Sequence, residues 1–490
     1  MTRSEKQTAV RPAHRSRAKY WLMGGAALLL PVISQPASAD TLLDAMTMAY
    51  EANPNLLAAR SQLRAVDENV PLALSGWRPT LTVNGNLTNN RTDNTVVSGG
   101  GVGQVVTGGI TKRFQKTAQA QFTQPVFRGF KTWAGTAQAK NQVYAQRARL
   151  QATEGAVLLS VATAYFDVLQ NQAVVELNMN NVQVLNRQLE ATQDRFRVGE
   201  LTRTDVAQAE ASLAGAKASL VQAEGNLQQA RSAYTNVVGK APENLATPAL
   251  PANIPGTFDA VENAAINNNP NYIAADFTAK AADENVTVVQ GDLLPSLNLV
   301  GTYTRGWNTV ADQSKSEAVV AQAQVVVPIY QQGAEYSRLR QAKHTAGQQR
   351  YSADQARLDA RNSATQAWET FQATGASIKS FQAQISANEI ALEGTQREAE
   401  VGSRTVLDVL NAEQVLLVSR VSLVRAQHDQ FVAAHQLLSA IGLLTGQGVG
   451  VSGPIYDPIA HYNDVELQVF GGGVDLVKSA ATTPSAPAAK

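Results

Sequence analysis

Not one of the 490 residues is cysteine, so disulfides, thiolate metal sites and a lipidated N-terminal cysteine are excluded. Aromatic residues make up only 6% of the chain and histidines number five. No GxSxG, HExxH or Walker pattern occurs, so no nucleophile elbow, zinc helix or phosphate loop suggests an enzyme, a cofactor site or an energy source. Neither sign of charge dominates: 41 Lys and Arg face 40 Asp and Glu, which offers nucleic acid no basic surface. Beyond the N-terminal segment no stretch has roughly 18 consecutive apolar residues, which argues against a helical membrane span.

What the chain does have begins with an export signal. Arg3, Lys6, Arg11, Arg15, Arg17 and Lys19 precede an apolar run from Trp21 to Ile33, and Ala37-Ser38-Ala39 has the small-residue pattern of a cleavage site. Residues 1–39 are therefore read as a signal peptide. Their removal takes six of the 41 basic residues and one of the 40 acidic ones (Glu5), leaving 35 against 39 and a mildly acidic product.

The remainder is written twice. Asn53-Pro54-Asn55 returns as Asn269-Pro270-Asn271, Asp67-Glu68-Asn69-Val70 as Asp283-Glu284-Asn285-Val286, and Pro79 and Leu81 as Pro295 and Leu297, each 216 residues later. Further on the offset is 203: Gln121 and Pro125 match Gln324 and Pro328, and Val198-Gly199 with Thr202 and Asp205 matches Val401-Gly402 with Thr405 and Asp408. Two structural repeats follow, residues 40–240 and 258–446, joined by a proline-rich linker at 241–257. The offset falls by 216 − 203 = 13, so the first repeat carries 13 extra residues between Pro79 and Pro125. They are expected as an exposed loop at the glycine-rich Ser98 to Gly109. Residues 447–490 offer no packable pattern, and their end is expected to be disordered.

Each repeat alternates apolar and polar residues on both sides of one turn, as a β-hairpin does. Leu81, Val83, Gly85 and Leu87 interleave with Thr82, Asn84 and Asn86, and Leu297, Leu299, Gly301 and Tyr303 do the same in the second repeat. Strands of about ten such residues suit a transmembrane barrel. Long helical patterns follow. Val157, Val161, Ala164, Val168, Val175, Val182, Leu185, Leu189 and Phe196 share one heptad register. The returning segment is stricter, with Val206, Leu213, Leu220, Leu227 and Tyr234 seven apart and Ala209, Ala216, Ala223 and Ala230 three residues after each of the first four. Large residues alternating with alanine over a strict seven-residue period predict close, left-handed coiled-coil packing. Where the pattern reverses, Gly199 and Gly402 end one helix, and Thr202 with Asp205 or Thr405 with Asp408 begins the next. Each is the tip of a helical hairpin.

Four strands cannot close a barrel, because the smallest need about eight, and open edges are not tolerated in lipid. A barrel would have to be an oligomer. The two tips, together with Gln124-Pro125-Val126-Phe127 and Val327-Pro328-Ile329-Tyr330-Gln331-Gln332-Gly333 where strand gives way to helix, resemble the TolC family of outer-membrane factors. The resemblance spans roughly residues 41–446 in both repeats. It implies a membrane α+β fold: a homotrimer whose twelve strands, four per chain, form one barrel in the outer membrane of a Gram-negative bacterium, continued by a periplasmic coiled-coil tunnel. It also implies partners, namely a periplasmic adaptor (membrane fusion protein), an inner-membrane pump of ABC or RND type, and outer-membrane lipid. Matched residue by residue, Thr204 and Arg404 resemble one polar link of a closed gate, Asp205 half of another, and Asp408 a carboxylate ringing the entrance. Val198, Gly199, Val401 and Gly402 form the tips that meet the adaptor. Ala399 stands where that pattern has a tyrosine and Asn411 where it has a second ring acid, which implies a looser latch and weaker block by cations.

Simpler roles stand beside these. Asp205 and Asp408 fit helix capping as well as a pore ring, and Trp77 and Trp133 fit junction packing as well as an aromatic girdle with Tyr303, Trp307 and Tyr330. His428 and His435 lie a heptad apart, too far to share a metal easily. A rival reading of the whole chain is a periplasmic coiled-coil adaptor or scaffold that forms no pore.

Overall fold

The computed structural model describes residues 40–98 and 105–472, so the expected signal peptide and the end of the tail lie outside the described residues. Each repeat opens with short helices: α1 (Leu42–Ala52), α2 (Pro54–Asp67) and α3 (Asn69–Leu74) in the first, and two counterparts in the second. The strands β1 (Thr80–Ser98) and β2 (Val105–Arg128) follow, then α4 (Lys131–Arg197) and the returning α5 (Arg203–Val238). The second repeat runs α6 (Phe258–Asn268), α7 (Pro270–Gln290), β3 (Ser296–Trp307), β4 (Lys315–Val326), α8 (Ala334–Glu400) and α9 (Val406–Ala440). Two short helices, α10 (Gly446–Val449) and α11 (Ala460–Val465), complete it.

The strands form one antiparallel sheet in the order β1-β2-β3-β4. β3 and β4 have 12 residues each, but β1 has 19 and β2 has 24. The loop expected at Ser98 to Gly109 is therefore strand at Ser98 and from Val105 to Gly109, while residues 99–104 lie outside the described residues. Thr80 pairs with Thr123 and Ser296 with Val326, spans of 43 and 30 residues that differ by the same 13. The insertion lengthens both strands. Above Lys116, where pairing with β3 ends, β1 and β2 continue alone as a ribbon with Asn89 opposite Phe114, Arg91 opposite Lys112 and Asp93 opposite Ile110.

Strand passes into helix through two consecutive left-handed residues in both repeats, Gly129 and Phe130 (φ 60° and 64°) and Gln332 and Gly333 (φ 55° and 78°). The turn is tight at Gly129, where a Cβ would lie 2.5 Å from the Gly291 carbonyl oxygen. α4 and α8 then run 67 residues each, roughly 100 Å at 1.5 Å per residue, so strands and tips lie at opposite ends. α4 is the one described helix long and apolar enough to span a membrane, but half of its most apolar window is buried. Its Val157, Leu158, Val161, Tyr165 and Val168 meet Ala45 and Met46 of α1, Tyr234 of α5, Val261 of α6 and Leu437 of α9 in the main core, roughly 40–55 Å below the strands. The coiled-coil register holds: Ala209, Leu213, Ala216, Ala223, Ala230 and Tyr234 are all buried, as are Val409, Leu416, Ser419, Ala426 and Leu437 of α9.

The repeated Asn-Pro sequence acquires a purpose here. Asn53 and Asn269 cap α2 and α7, each accepting the backbone N–H two residues on at 3.0 Å. Their amide nitrogens donate to Val237 and Ala440 at 3.2 and 2.9 Å, the last turns of α5 and α9. Each repeat is thus clipped to its own end. The linker is held as well, since the Tyr165 hydroxyl lies 3.0 Å from the Asp40 carbonyl and 2.5 Å from that of Ala246. Burial pushes the Tyr165 phenol up to about 12.

Residues from Gly446 onward, expected to lack a packable pattern, do pack through Val451 and Tyr456 onto Tyr50, Leu56, Leu63 and Leu150. The consequence is visible at Asp67. Its counterpart Asp283 pairs with Arg350 at 2.9 Å, but Asp67, fully buried, takes His461 of α11 at 3.2 Å. Arg147, the counterpart of Arg350, lies over the rings of Tyr144 and Tyr462. Burial raises the Asp67 carboxyl above the usual range, against the pull of His461 and Arg147. His461→Leu is expected to destabilise the fold by about 2 kcal/mol, the worth of a hydrogen bond to a charged group. Asp67→Asn in the same chain should recover most of that; equal melting points for the single and double variants would contradict this role.

His428 spans two helices, with Nε2 2.9 Å from Asp167 of α4 and Nδ1 2.9 Å from its neighbour Asp429. Burial pulls its pKa down, but the two carboxylates outweigh burial and raise it overall. A raised imidazole stabilises fully below the unfolded value of about 6.5 and loses that contribution as pH rises through the folded one. Melting temperature is therefore expected to fall across that window, and to fall less in His428→Gln.

Candidate functional site

The sheet presents two chemically different faces, because side chains alternate along each strand and residues directly opposite each other share a face. Across all four strands Leu81, Phe122, Gly301 and Ala321 form one row, and Val83, Ala120, Tyr303 and Val319 the next. Rows of the other face read Thr82, Gln121, Thr302 and Val320, then Asn84, Gln119, Thr304 and Ala318. From Thr80 to Thr304 that second face carries no charge, only hydroxyls, amides and a few small apolar residues. The apolar face is exposed, Leu81 and Val83 above 70% and Val319 at 78%. β4 is exposed along its whole length, and both β1 and β4 are open edges.

At the helix end of this band sit Trp77, Trp133 and Tyr330, three of the residues expected in an aromatic girdle, with Phe130 and Ile329 beside them, all exposed; toward the other end lie the remaining two, Tyr303 and Trp307. Lys131 beside the lower end is paired with Asp292.

At the far end of the helices the two tips repeat one geometry. Thr202 accepts the Asp205 N–H at 3.3 Å while Asp205 accepts the Thr202 N–H at 2.9 Å and its hydroxyl at 2.7 Å. Thr405 and Asp408 do the same at 3.2, 3.0 and 2.8 Å. Hydrogen bonds from the threonine side chain and backbone hold the Asp205 carboxyl below its ordinary range, and those from the Thr405 backbone and side chain do so for Asp408. Both aspartates therefore cap helices and stay charged, which leaves them able to face a pore as well. Gly199 and Gly402 take φ of 85° and 79°, the left-handed stop expected of them.

The expected links do not all form within one chain. Arg404 reaches Glu398 of its own hairpin at 2.9 Å rather than Thr204, and Arg195 and Glu200 make the equivalent bridge in the first tip at 3.0 Å. Thr204 and Asn411 are exposed. The tips do lie side by side: Val406 and Leu410 of the second pack with Leu185, Leu189, Leu201 and Leu213 of the first. Ala399 packs against Leu392, Val409 and Leu416 in the α8–α9 seam. The two intrahairpin Arg–Glu bridges escaped the sequence reading, although Arg404 lies six residues from Glu398 and Arg195 five from Glu200, across a glycine turn. Val198 and Val401 project at 72% and 80% exposure. Among the described residues no cluster of His, Asp and Glu could hold a metal ion.

Comparison with known proteins fits this layout. The family model described as "Outer membrane efflux protein" matches residues 45–240 and 261–443, nearly the two repeats. The chain is 34% identical over 454 residues to the outer membrane efflux protein BepC of Brucella suis biovar 1 (strain 1330), covering 92% of this chain and 96% of that protein. It is 26% identical over 430 residues to the outer membrane protein TolC of Vibrio cholerae serotype O1 (strain ATCC 39315 / El Tor Inaba N16961), covering 86% and 94%. Its fold superimposes on the outer membrane protein VceC of Vibrio cholerae with a TM-score of 0.71 at 21% identity, over 82% of this chain and 96% of that one.

Proposed function

The chain belongs to the outer membrane efflux protein family, and on that premise we propose that it is the passive exit duct of a tripartite export system, carrying cargo from an inner-membrane pump and its periplasmic adaptor across the outer membrane. The observation that carries this reading is the sheet: one apolar face and two open edges, continued by helices roughly 100 Å long. Lipid accepts no open edge, so β1 of one copy pairs with β4 of another. Two copies would give eight strands, whose interior fills with side chains; three copies, the number that the resemblance to the TolC family implies, give twelve strands and leave a lumen lined by the neutral polar face. On that reading the duct is a homotrimer. A non-pore adaptor would have no use for a membrane-height apolar band with both edges open.

At the tips Thr204, Asp205, Arg404, Asp408 and Asn411 form the constriction, and the exposed Val198, Gly199, Val401 and Gly402 meet the adaptor. With Arg404 held by Glu398 and no carboxylate at position 411, the entrance is loosely latched and carries one ring of acids from Asp408. Asn411→Asp adds a second ring one turn along α9. In planar bilayers the variant is expected to be blocked by a trivalent cation at several-fold lower concentration than the wild type. Equal block would remove position 411 from the constriction.

The duct itself is tested by cross-linking purified protein and by proteomics of the culture medium from a strain lacking the gene. Three-chain species with heat-modifiable mobility, together with loss of one or a few leaderless proteins, would assign it to type I secretion. An unchanged medium with increased dye retention would assign small-molecule efflux. A soluble periplasmic monomer would defeat the reading.

A further inference from the structure

The apolar face does not end in neutral residues at its outer edge. Directly above the row of Val83, Ala120, Tyr303 and Val319 comes Gly85, Ala118, Arg305 and Glu317, and above that Leu87, Lys116, Trp307 and Lys315. The ribbon continues the same face with Phe114 and then the pair Arg91 and Lys112. Five cations thus stand on the lipid-facing side, just beyond the band, against two acids, Asp93 and Glu317. Among the described residues none of the five has a carboxylate partner within ion-pair distance. Glu317 instead accepts the Tyr303 hydroxyl at 3.0 Å, and Arg305 lies over Trp307 at 5.4 Å. Lys116 lies over Phe114 at 5.5 Å. Cations over aromatic rings at the edge of an apolar band are held at headgroup height with their charge unspent.

The opposite end of the band differs. There Lys131 is neutralised by Asp292 and Arg78 donates to the Gln468 carbonyl at 2.8 Å. The polar face is uncharged from the Thr80 row up to Arg113 on the ribbon, and Arg128, opposite Ser296 at the helix end, lies on that face rather than on the apolar one. The excess is therefore specific to one face and one end. Lys116 and Lys315 flank Trp307 across adjacent strands, which places them roughly 10 Å apart.

We infer that this collar binds the phosphate groups of the outer-leaflet lipid, lipid A in a Gram-negative outer membrane, with Lys116, Arg305 and Lys315 as the core of the site and Arg91 and Lys112 extending it up the ribbon. The inference rests on the outer-membrane reading above. Phosphate takes charge-assisted hydrogen bonds from such side chains while the acyl chains lie along Leu81, Val83 and Phe122.

The test uses the full trimer purified from outer membranes, offered lipid A carrying both phosphates or fully dephosphorylated lipid A, with retained lipid read by native mass spectrometry. Wild type is expected to retain the phosphorylated form by roughly tenfold over the other. The triple variant Lys116→Gln, Arg305→Gln, Lys315→Gln should fall to the dephosphorylated level, and Arg113→Gln, on the other face, should not change. Equal retention of the two lipids by wild type, or unchanged retention by the triple variant, overturns the inference. Should the variant not assemble, the wild-type comparison decides alone. Failure of the outer-membrane reading would show separately, as a wild-type protein without a heat-modifiable trimer.

Discussion

Gly442→Ala is expected to destabilise the protein by roughly 3–5 kcal/mol and Gly239→Ala by only about 1–2 kcal/mol, although the two glycines are the same position of the two repeats, 203 residues apart. Both are left-handed, φ 73° and 89°, and both follow the last turn of a returning helix. A side chain therefore strains the backbone equally in each. The difference is what a Cβ would meet. At Gly239 there is nothing within 4 Å, whereas at Gly442 the Asn268 carbonyl oxygen lies 2.1 Å away and the Asn269 nitrogen 3.3 Å away. Those atoms belong to the Asn-Pro clip whose amide holds Ala440, so the intruding methyl pushes on the segment that closes the repeat. Guanidinium unfolding of the two purified variants, followed by circular dichroism, checks this. Equal losses would mean that the clip yields freely.

Ala321→Arg is expected to prevent assembly of the trimer, and Gln322→Arg to leave it intact. The residues are adjacent on β4 and both exposed in a single chain, so burial does not separate them. Their faces do. Ala321 lies in the middle row of the apolar band, opposite Gly301, and Gln322 opposite Val300 on the polar face. An arginine at the membrane midplane costs about 2–4 kcal/mol on the lipid face of a barrel, and the proposed trimer contains three copies. At Gln322 the same cation enters the lumen, where it should shift the reversal potential toward anion preference. Heat-modifiable mobility and bilayer recordings read the two outcomes. Two variants that assemble equally well would remove the band from lipid.

Much of this fold is legible in the sequence, for identifiable reasons. The heptads of α5 and α9, the capping boxes at Thr202 and Thr405 and the duplication itself are local, periodic signals that residue spacing carries directly. The faces of β3 and β4 alternate cleanly for the same reason. What escaped detection depends on partners far along the chain. Asn53 and Asn269 are visible as helix caps, but not their bonds across 184 and 171 residues to Val237 and Ala440. Asp67 and Asp283 are identical in sequence context, yet one faces a histidine from the tail and the other an arginine of its own repeat. Gly108 and Gly109, paired with Thr95 and Asn94, mask strand periodicity, because glycine adds no side chain to either face, so this part of the ribbon reads as a loop. At the tips the motif resemblance suggested polar links involving Thr204 and Arg404, but a single arginine has several acids within reach, and spacing alone does not choose Glu398.

The clips also impose an order in time. Asp40, Tyr165 and Ala246 meet, and Asn53 meets Val237, so every part of the first closure has emerged once about half of the chain has crossed into the periplasm. The second closure waits for Ala440. Only then can Val451 and Tyr456 settle on Tyr50 and Leu56, with His461 meeting Asp67 and Glu466 meeting Lys140. A chain delivered from its N-terminus, and folding as it arrives, is therefore finished by its last described residues, which seal helices laid down at the start. Until they do, Asp67 waits without the histidine partner it has in the completed fold, and a nascent chain is marked as unfinished at that one carboxylate.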